Sequence, residues 1–306
     1  MPHDMTPFRR LLAIDWGTSS LRGALVSPQG HTLEQRFFER GILSVQAGHF
    51  AAVFQDCFGD WTGEHTLGLM SGMVGGRQGW QETAYCPCPA SFADLVAHLH
   101  WLTPSLAVVP GLCQAGSGEE PADVMRGEEV QIFGALELLG LDSARVVHPG
   151  THCKWVQVQH KRISHFATWM TGELYALLRH HSLLARTLPT LEPPADGQAF
   201  EAGLRRASMG PGLLHHVFGV RTLALFKGMA AEALPSYLSG LLIGEELRAQ
   251  QLLAGQEVVL IGAPALTARY GQALALRGVS CRTVGDEATW AGLYAVARAL
   301  GAFEAQ

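Results

Sequence analysis

Residues 11–22, Leu-Leu-Ala-Ile-Asp-Trp-Gly-Thr-Ser-Ser-Leu-Arg, place the carboxylate of Asp15 two positions ahead of a turn made of Gly17, Thr18, Ser19 and Ser20. Such a turn suits a phosphate. Glycine lets the backbone approach a ligand, turn N–H groups and the Thr18 and Ser19 hydroxyls donate to anionic oxygens, and Asp15 can hold a hydrated Mg²⁺ against them. The same composition also suits a plain hairpin whose Asp and Ser side chains satisfy local turn hydrogen bonds. A second glycine–threonine pair, Gly150-Thr151, leads into Cys153-Lys154-Trp155. Lys154 can meet a phosphate as a point charge or stand as an exposed strand lysine. A third stretch, Gly72-Met73-Val74-Gly75-Gly76-Arg77-Gln78-Gly79-Trp80, is a glycine-rich loop that ends in a cation, an amide and an aromatic ring. The planar fork of Arg77 matches a carboxylate through two parallel hydrogen bonds. The plainer alternative is a surface arginine beside a structural tryptophan.

The elements that must position these groups follow from hydrophobic periodicity. Leu11 to Asp15 reads as a buried strand entering the first turn, an alternating run from Leu21 follows it, and Thr32 to Phe38 reads as a third strand. Arg145 to His148, the Gly150-Thr151 turn, Cys153 to Val158 and Ile163 to Thr168 repeat that plan. The repetition predicts two similar domains facing each other across a cleft, divided as residues 1–105 and 106–306. Apolar spacing predicts helices over 50–61, 128–139, 171–184, 198–218 and 230–253, the last passing Pro235. Ser91 is placed to cap a helix running through Trp101, and Asp286 to cap a final helix carrying Trp290, Leu293, Ala297 and Leu300. A buried strand, Glu257 to Ile261, ends in Gly262-Ala263-Pro264-Ala265. Small residues at that point leave room for a flat base and ribose, and serve helix packing equally well.

Composition narrows the classes. With 306 residues, 48% hydrophobic and 16% charged, the chain is long enough for two well-cored domains. A formal charge of −5 supplies no broad basic field, which argues against nucleic acid or an anionic membrane as partner. The six cysteines are scattered, and Cys86-Pro87-Cys88 has the wrong spacing for a zinc knuckle, so they read as reduced thiols. Fourteen histidines give no pair with metal-ligand spacing, and no structural metal is expected. Met1 to Arg10 lacks the apolar stretch of a leader, and no run reaches the roughly eighteen apolar residues of a membrane helix. A cytoplasmic setting is expected. A homodimer is left open.

Taken in order, Asp15-Trp16-Gly17-Thr18, the Gly72–Trp80 loop, Met125-Arg126-Gly127-Glu128-Glu129-Val130-Gln131-Ile132-Phe133-Gly134-Ala135, Pro149-Gly150-Thr151-His152-Cys153-Lys154-Trp155 and Met170-Thr171-Gly172-Glu173-Leu174-Tyr175-Ala176-Leu177-Leu178 resemble the motifs of the 2-dehydro-3-deoxygalactonokinase family. That family lies within the sugar kinase, Hsp70 and actin superfamily. The resemblance spans most of the chain. It implies an α/β fold of two ribonuclease H-like, actin-like ATPase domains, mixed sheets flanked by helices, with a cleft between them. It also implies transfer of a phosphoryl group from ATP, with Mg²⁺, to the 6-hydroxyl of 2-dehydro-3-deoxy-D-galactonate in galactonate and galactose catabolism. Within it, Asp123 is the expected general base, since related sugar kinases place the proton-accepting Asp just ahead of the helix that leads to the second phosphate turn. Capping that helix is the other use Asp123 can have. Gly17, Thr18, Ser19, Gly150, Thr151 and Lys154 are expected at phosphates, Asp15 at the metal through water, and Gly262, Ala263 and Pro264 at adenosine. Arg77, Gln78 and Trp80 are expected at the sugar acid, and Arg126 and Glu128 at its hydroxyls unless they form an ordinary ion pair. Cys153 departs from the serine expected there, which puts one hydroxyl contact in doubt. The competing readings are a kinase for another sugar acid, a phosphohydrolase, and a non-catalytic nucleotide-dependent sensor.

Overall fold

The computed structural model describes residues 8–303. Most of the Met1 to Arg10 segment, read above as lacking a leader, lies outside the described residues. Leu11 to Ile14 are all buried because β1 (Arg10–Trp16) is an interior strand, covered on both faces. It pairs antiparallel with β2 (Leu21–Val26) and parallel with β4 (Thr66–Ser71), so that Asp15 stands opposite Arg22 on one side and Ser71 on the other. The partially exposed β3 (Thr32–Phe38) pairs with β2 and forms the edge. On the far side β7 (Leu106–Val108) runs parallel to β4 and β6 (His100–Thr103) antiparallel to β7, giving the order β3-β2-β1-β4-β7-β6. Helix α1 (Phe50–Phe58) lays Phe50, Phe54, Cys57 and Phe58 into the same core as Trp16 and Met70.

Helix α2 (Phe92–Ala97) begins with a capping box in which the Ser91 N–H donates to Asp94 Oδ2 at 2.8 Å. It ends well before Trp101, because residues 100–103 bond to β7 instead. The tertiary ladder overrides a weak helical pattern there. A small sheet ordered β5-β8-β9, from β5 (Cys86–Pro87), β8 (Leu112–Gln114) and β9 (Asp123–Met125), sets Gln114 opposite Asp123. It feeds α3 (Glu128–Leu139).

The later strands β10 (Ala144–His148), β11 (Cys153–Gln159), β12 (Arg162–Trp169), β13 (Glu257–Ile261) and β14 (Ser280–Val284) form a sheet ordered β12-β11-β10-β13-β14. Its first four places repeat β3-β2-β1-β4, so the duplication read from the turns extends to strand order. Helices α4 (Thr171–His181), α5 (Gly197–Ala207), α6 (Leu213–Leu225), α7 (Leu234–Arg248), α8 (Pro264–Ala275) and α9 (Glu287–Ala299) complete the chain. The single helix expected over 198–218 is two, broken by Gly210-Pro211-Gly212, where proline cannot continue the ladder and Gly212 takes φ +114°. Pro235 sits in the first turn of α7 rather than inside it, where its missing N–H costs nothing. Asp286 occupies the N-cap position of α9, but its side chain makes no cap bond and goes to Arg22 at 2.6 Å.

Among the described residues two compact units emerge: one lies within 1–146, 156–167 and 284–306, and the other is formed by 147–155 and 168–283. Among the described residues no helix is long and apolar enough to cross a membrane.

Candidate active site

In the first unit, the turn after β1 is closed by the Gly17 N–H donating to the Ser20 carbonyl at 2.9 Å, and it leaves Thr18 and Ser19 exposed at its tip. The chain around Gly41 braces it from below. Ile42 N–H donates to the Gly17 carbonyl at 3.0 Å, and a side chain at Gly41 would meet the Thr18 carbonyl at 2.2 Å. Asp15, 16% exposed, accepts from Arg22 Nε at 2.9 Å. Burial opposes the charge on Arg22, and Asp15 with Asp286 more than offsets it, so the guanidinium pKa is raised. The antiparallel register alone puts this pair together.

Gly72, at the end of β4, takes φ +89°, a conformation that favours glycine, and a side chain on it would lie 2.9 Å from Asp15 Oδ1. Gly127, the N-cap of α3 at φ +105°, lies against the Gly72 Cα in turn. The strand ends carrying Asp15 and Gly72 therefore meet the N-terminus of α3. The helix cap is Gly127 and not Asp123, which resides in β9, half-buried, with its Oδ1 accepting from Val124 N–H at 2.7 Å. Capping by Asp123 is thereby set aside.

Glu129 is fully buried at this junction. Its Oε2 accepts from Gly127 N–H at 2.7 Å while Oε1 has no partner. Burial and the neighbouring Glu128 charge push its carboxyl up to about 8. Glu128 accepts from the Arg126 backbone N–H at 2.9 Å, so its oxygen serves the turn into α3. Arg126 is locked elsewhere: Nη1 and Nη2 donate to the Thr83 hydroxyl and carbonyl at 2.6 and 2.9 Å, and its guanidinium lies 4.2 Å from the Tyr85 ring centre.

The glycine-rich loop brings Arg77, Gln78 and Trp80 onto one wall of a cavity of about 540 Å³. Arg77 is 89% exposed, with Glu82 at 3.9 Å. Trp80 rests edge-on against Trp16 at 6.3 Å and tilted on Phe54 at 5.7 Å, so one side of its ring is core and the other faces the cavity. The rest of the lining comes from the 42–50 segment, including Ile42, Val45 and Phe50. Sequence reasoning missed that segment, and nothing in its composition marks it.

In the second unit, the turn after β10 leaves Thr151 exposed and is gripped by the start of α4. Glu173 N–H donates to the Thr151 carbonyl at 2.9 Å, and a side chain at Gly172 would strike the Gly150 carbonyl at 2.3 Å. His152 Nε2 pairs with Glu173 Oε2 at 2.5 Å. Lys154 is 4% exposed and donates to the Thr168 hydroxyl at 2.7 Å, so it is not an exposed strand lysine. Cys153 points inward, its Sγ donating to Glu246 Oε1 at 3.0 Å; burial first, and then Glu246, push its thiol up. Its hydrogen bond is made inside the fold. Gly262 follows β13 at φ +141° and lies against the Pro149 carbonyl, with Ala263 and Pro264 exposed at the start of α8. These three residues thus adjoin the second turn.

Two sheets of like strand order, each opening on a strand, a glycine and hydroxyl turn and a second strand, define an actin-like ATPase fold of the sugar kinase type. The solved Acidaminococcus fermentans (R)-2-hydroxyglutaryl-CoA dehydratase component A shares that fold, with a TM-score of 0.52 at 14% identity over 95% of this chain and 98% of that one. Residues 15–296 match the family model described as 2-keto-3-deoxy-galactonokinase, and the chain belongs to this family of carbohydrate kinases. It is 39% identical to the 2-dehydro-3-deoxygalactonokinase of Escherichia coli (strain K12) over 294 residues, 95% of this chain and 98% of the relative. The solved structure of a candidate 2-dehydro-3-deoxygalactonokinase from Sinorhizobium meliloti matches with a TM-score of 0.87 and 34% identity, covering 95% of this chain and 99% of that one.

Proposed function

We propose that this kinase transfers the γ-phosphoryl group of ATP to the 6-hydroxyl of 2-dehydro-3-deoxy-D-galactonate, giving 2-dehydro-3-deoxy-6-phospho-D-galactonate and ADP. The observation that carries this reading is the family match over residues 15–296. The cavity wall of Arg77, Gln78 and Trp80 supports it. Arg77 takes the sugar-acid carboxylate through its two-pronged fork, Gln78 donates to an oxygen, and Trp80 covers the carbon chain. Arg126 and Glu128 act by shaping the turn from β9 into α3, and through it the setting of the sugar hydroxyls. Asp123 accepts the proton of the attacking hydroxyl and so holds its oxygen in line with the γ-phosphate. Gly17, Thr18, Ser19, Gly150 and Thr151 donate to phosphate oxygens. Lys154 adds positive charge beneath the second turn, and Gly262, Ala263 and Pro264 lie along adenosine.

Magnesium fits the first turn. The single carboxylate of Asp15, already partly neutralised by Arg22, suits an ion that keeps most of its own waters, and the exposed Thr18 and Ser19 hydroxyls add polar atoms beside it. Bound there, Mg²⁺ supplies neutralisation of the phosphate oxygens. The six cysteines are free thiols, which supports a cytoplasmic setting.

The test is ADP release from ATP and Mg²⁺ with 2-dehydro-3-deoxy-D-galactonate, with 2-dehydro-3-deoxy-D-gluconate and with D-galactonate. Fast ADP formation with the first substrate alone, and a matching phosphorylated product, is the expected result. Equal rates with all three would leave a general sugar-acid kinase. No stimulation by any of them, with ATP still bound, would overturn the reading in favour of a different acceptor or of a sensor.

A further inference from the structure

We propose that Glu246 is the positioning residue of the second phosphate turn, a buried carboxylate that ties the strand leaving the Gly150–His152 segment to the helix packed against it and so holds the shape that receives the nucleotide. The proposal rests on the kinase reading above and concerns a residue 93 positions beyond Cys153, the first residue of the strand that leaves the turn. Glu246 lies on α7 and is 1% exposed. Its Oε1 accepts from Cys153 Sγ at 3.0 Å and from Trp155 Nε1 at 2.6 Å. Its Oε2 accepts from Tyr270 OH at 2.7 Å and from the Thr171 hydroxyl. Each of the two carboxyl oxygens thus takes two donors, so the acceptor capacity of the group is largely engaged.

The donors come from three elements. Cys153 and Trp155 begin β11, where the chain leaves the turn. Thr171 is the first residue of α4 and precedes Gly172 and Glu173, the residues packed on Gly150 and bonded to Thr151. Tyr270 belongs to α8, the helix that Gly262 to Pro264 begin. One side chain therefore ties together the exit strand, the helix that grips the turn and the helix that starts at the expected adenosine loop. Gly150, Thr171, Gly172 and Tyr270 also line a small cavity of about 70 Å³, so the clamp borders an accessible surface. Burying a charge is costly unless it is fully hydrogen-bonded, and an apolar side chain would fill the space with less desolvation. A four-way acceptor instead fixes where three elements meet.

The presence of Cys153 is consistent with this role. The residue at that position donates to Glu246 and does not face the exposed tip of the turn, so a thiol serves as donor where the family pattern leads one to expect a hydroxyl.

The experiment compares wild-type enzyme with Glu246→Gln, Thr171→Val and a control, Val220→Ala, which removes buried volume from the same unit away from the turn. ADP affinity is read by calorimetry and both KM values by the coupled assay. Glu246→Gln is expected to weaken ADP binding and raise the ATP KM tenfold or more, with the sugar-acid KM within twofold. Thr171→Val, which removes one of the four bonds, is expected to give a three- to fivefold loss in the same direction. Val220→Ala is expected to lower Tm and leave the ATP KM unchanged. A purely structural Glu246 would lower Tm without this selective loss. Wild-type ADP affinity retained within twofold in both Glu246→Gln and Thr171→Val overturns the proposal, and Thr171→Val decides alone if Glu246→Gln does not fold. A wild-type chain that binds no ADP overturns the kinase reading itself.

Discussion

Glu129→Gln should abolish a pH dependence of stability that resides in one buried carboxyl. Glu129 is fully buried, its Oε1 has no partner, and burial with the nearby Glu128 charge raises its pKa from 4.5 to about 8. The unfolded chain releases this proton near the ordinary carboxylate value, whereas the folded chain keeps it until about pH 8. Between those values the folded state binds more protons, so stability falls as pH rises; below and above the window this group contributes no slope. At about 1.4 kcal/mol per pH unit, the full loss is roughly 5 kcal/mol, of which roughly 3 kcal/mol has occurred by pH 7. In the variant the amide oxygen still accepts from Gly127 N–H, and the NH₂ group that replaces Oε1 adds a constant cost of about 1–3 kcal/mol. Urea unfolding of both proteins across about pH 5 to 9 should therefore show the stability of wild type relative to the variant falling by about 4 kcal/mol. A difference that stays constant to within about 1 kcal/mol over that range would refute the reasoning.

Asp123→Asn should leave ADP binding and Tm unchanged and lower kcat by about 10²- to 10⁴-fold, the range of general base catalysis; near-normal turnover would remove Asp123 as base. Arg77→Ala is expected to raise the sugar-acid KM about ten- to a hundredfold, the equivalent of one charge-assisted contact of roughly 1.5–3 kcal/mol, without changing the ATP KM. Because Arg77 is 89% exposed, the substitution should not alter Tm, and circular dichroism melting checks this. Gly41→Ala puts a methyl group 2.2 Å from the Thr18 carbonyl and 2.3 Å from Ser19 Cα. The turn must shift, so a stability loss of about 1–3 kcal/mol and a raised ATP KM are expected; an unchanged KM would show that the turn's exact shape does not matter.

Much of the fold is legible locally. The apolar run Leu11 to Ile14 and the turn after it mark a buried strand and its hairpin, and the repetition after Arg145 reappears as a second sheet whose first four strand places follow the order of the first. One misreading is local, the break of the 198–218 helix at Gly210-Pro211-Gly212, and two others fall where a distant partner competes with local pattern. Residues 100–103 favour pairing with β7 over extending α2, and Asp286 turns from its helix to Arg22, an ion pair spanning most of the chain. Arg22 itself was within reach, since a four-residue turn between β1 and β2 places it opposite Asp15.

For the candidate site, residue type and spacing single out the two turns and the Arg77-Gln78-Trp80 loop, because phosphates and carboxylates demand glycine, hydroxyl and guanidinium groups in short runs, whereas Asp123 is singled out by the family resemblance alone. Tertiary structure alone decides that the 42–50 segment lines the same cavity as Arg77, that Gly72 and Gly127 bring the start of α3 to Asp15, and that Arg126 is spent on Thr83 and Tyr85. It also decides that Glu246 gathers Cys153, Trp155, Thr171 and Tyr270. The physical reason is one of range. Backbone period and turn chemistry act over a few residues and are written in the sequence, whereas the partner of a buried charge is whichever donor the packed elements bring within about 3 Å, and that exists only once they have packed.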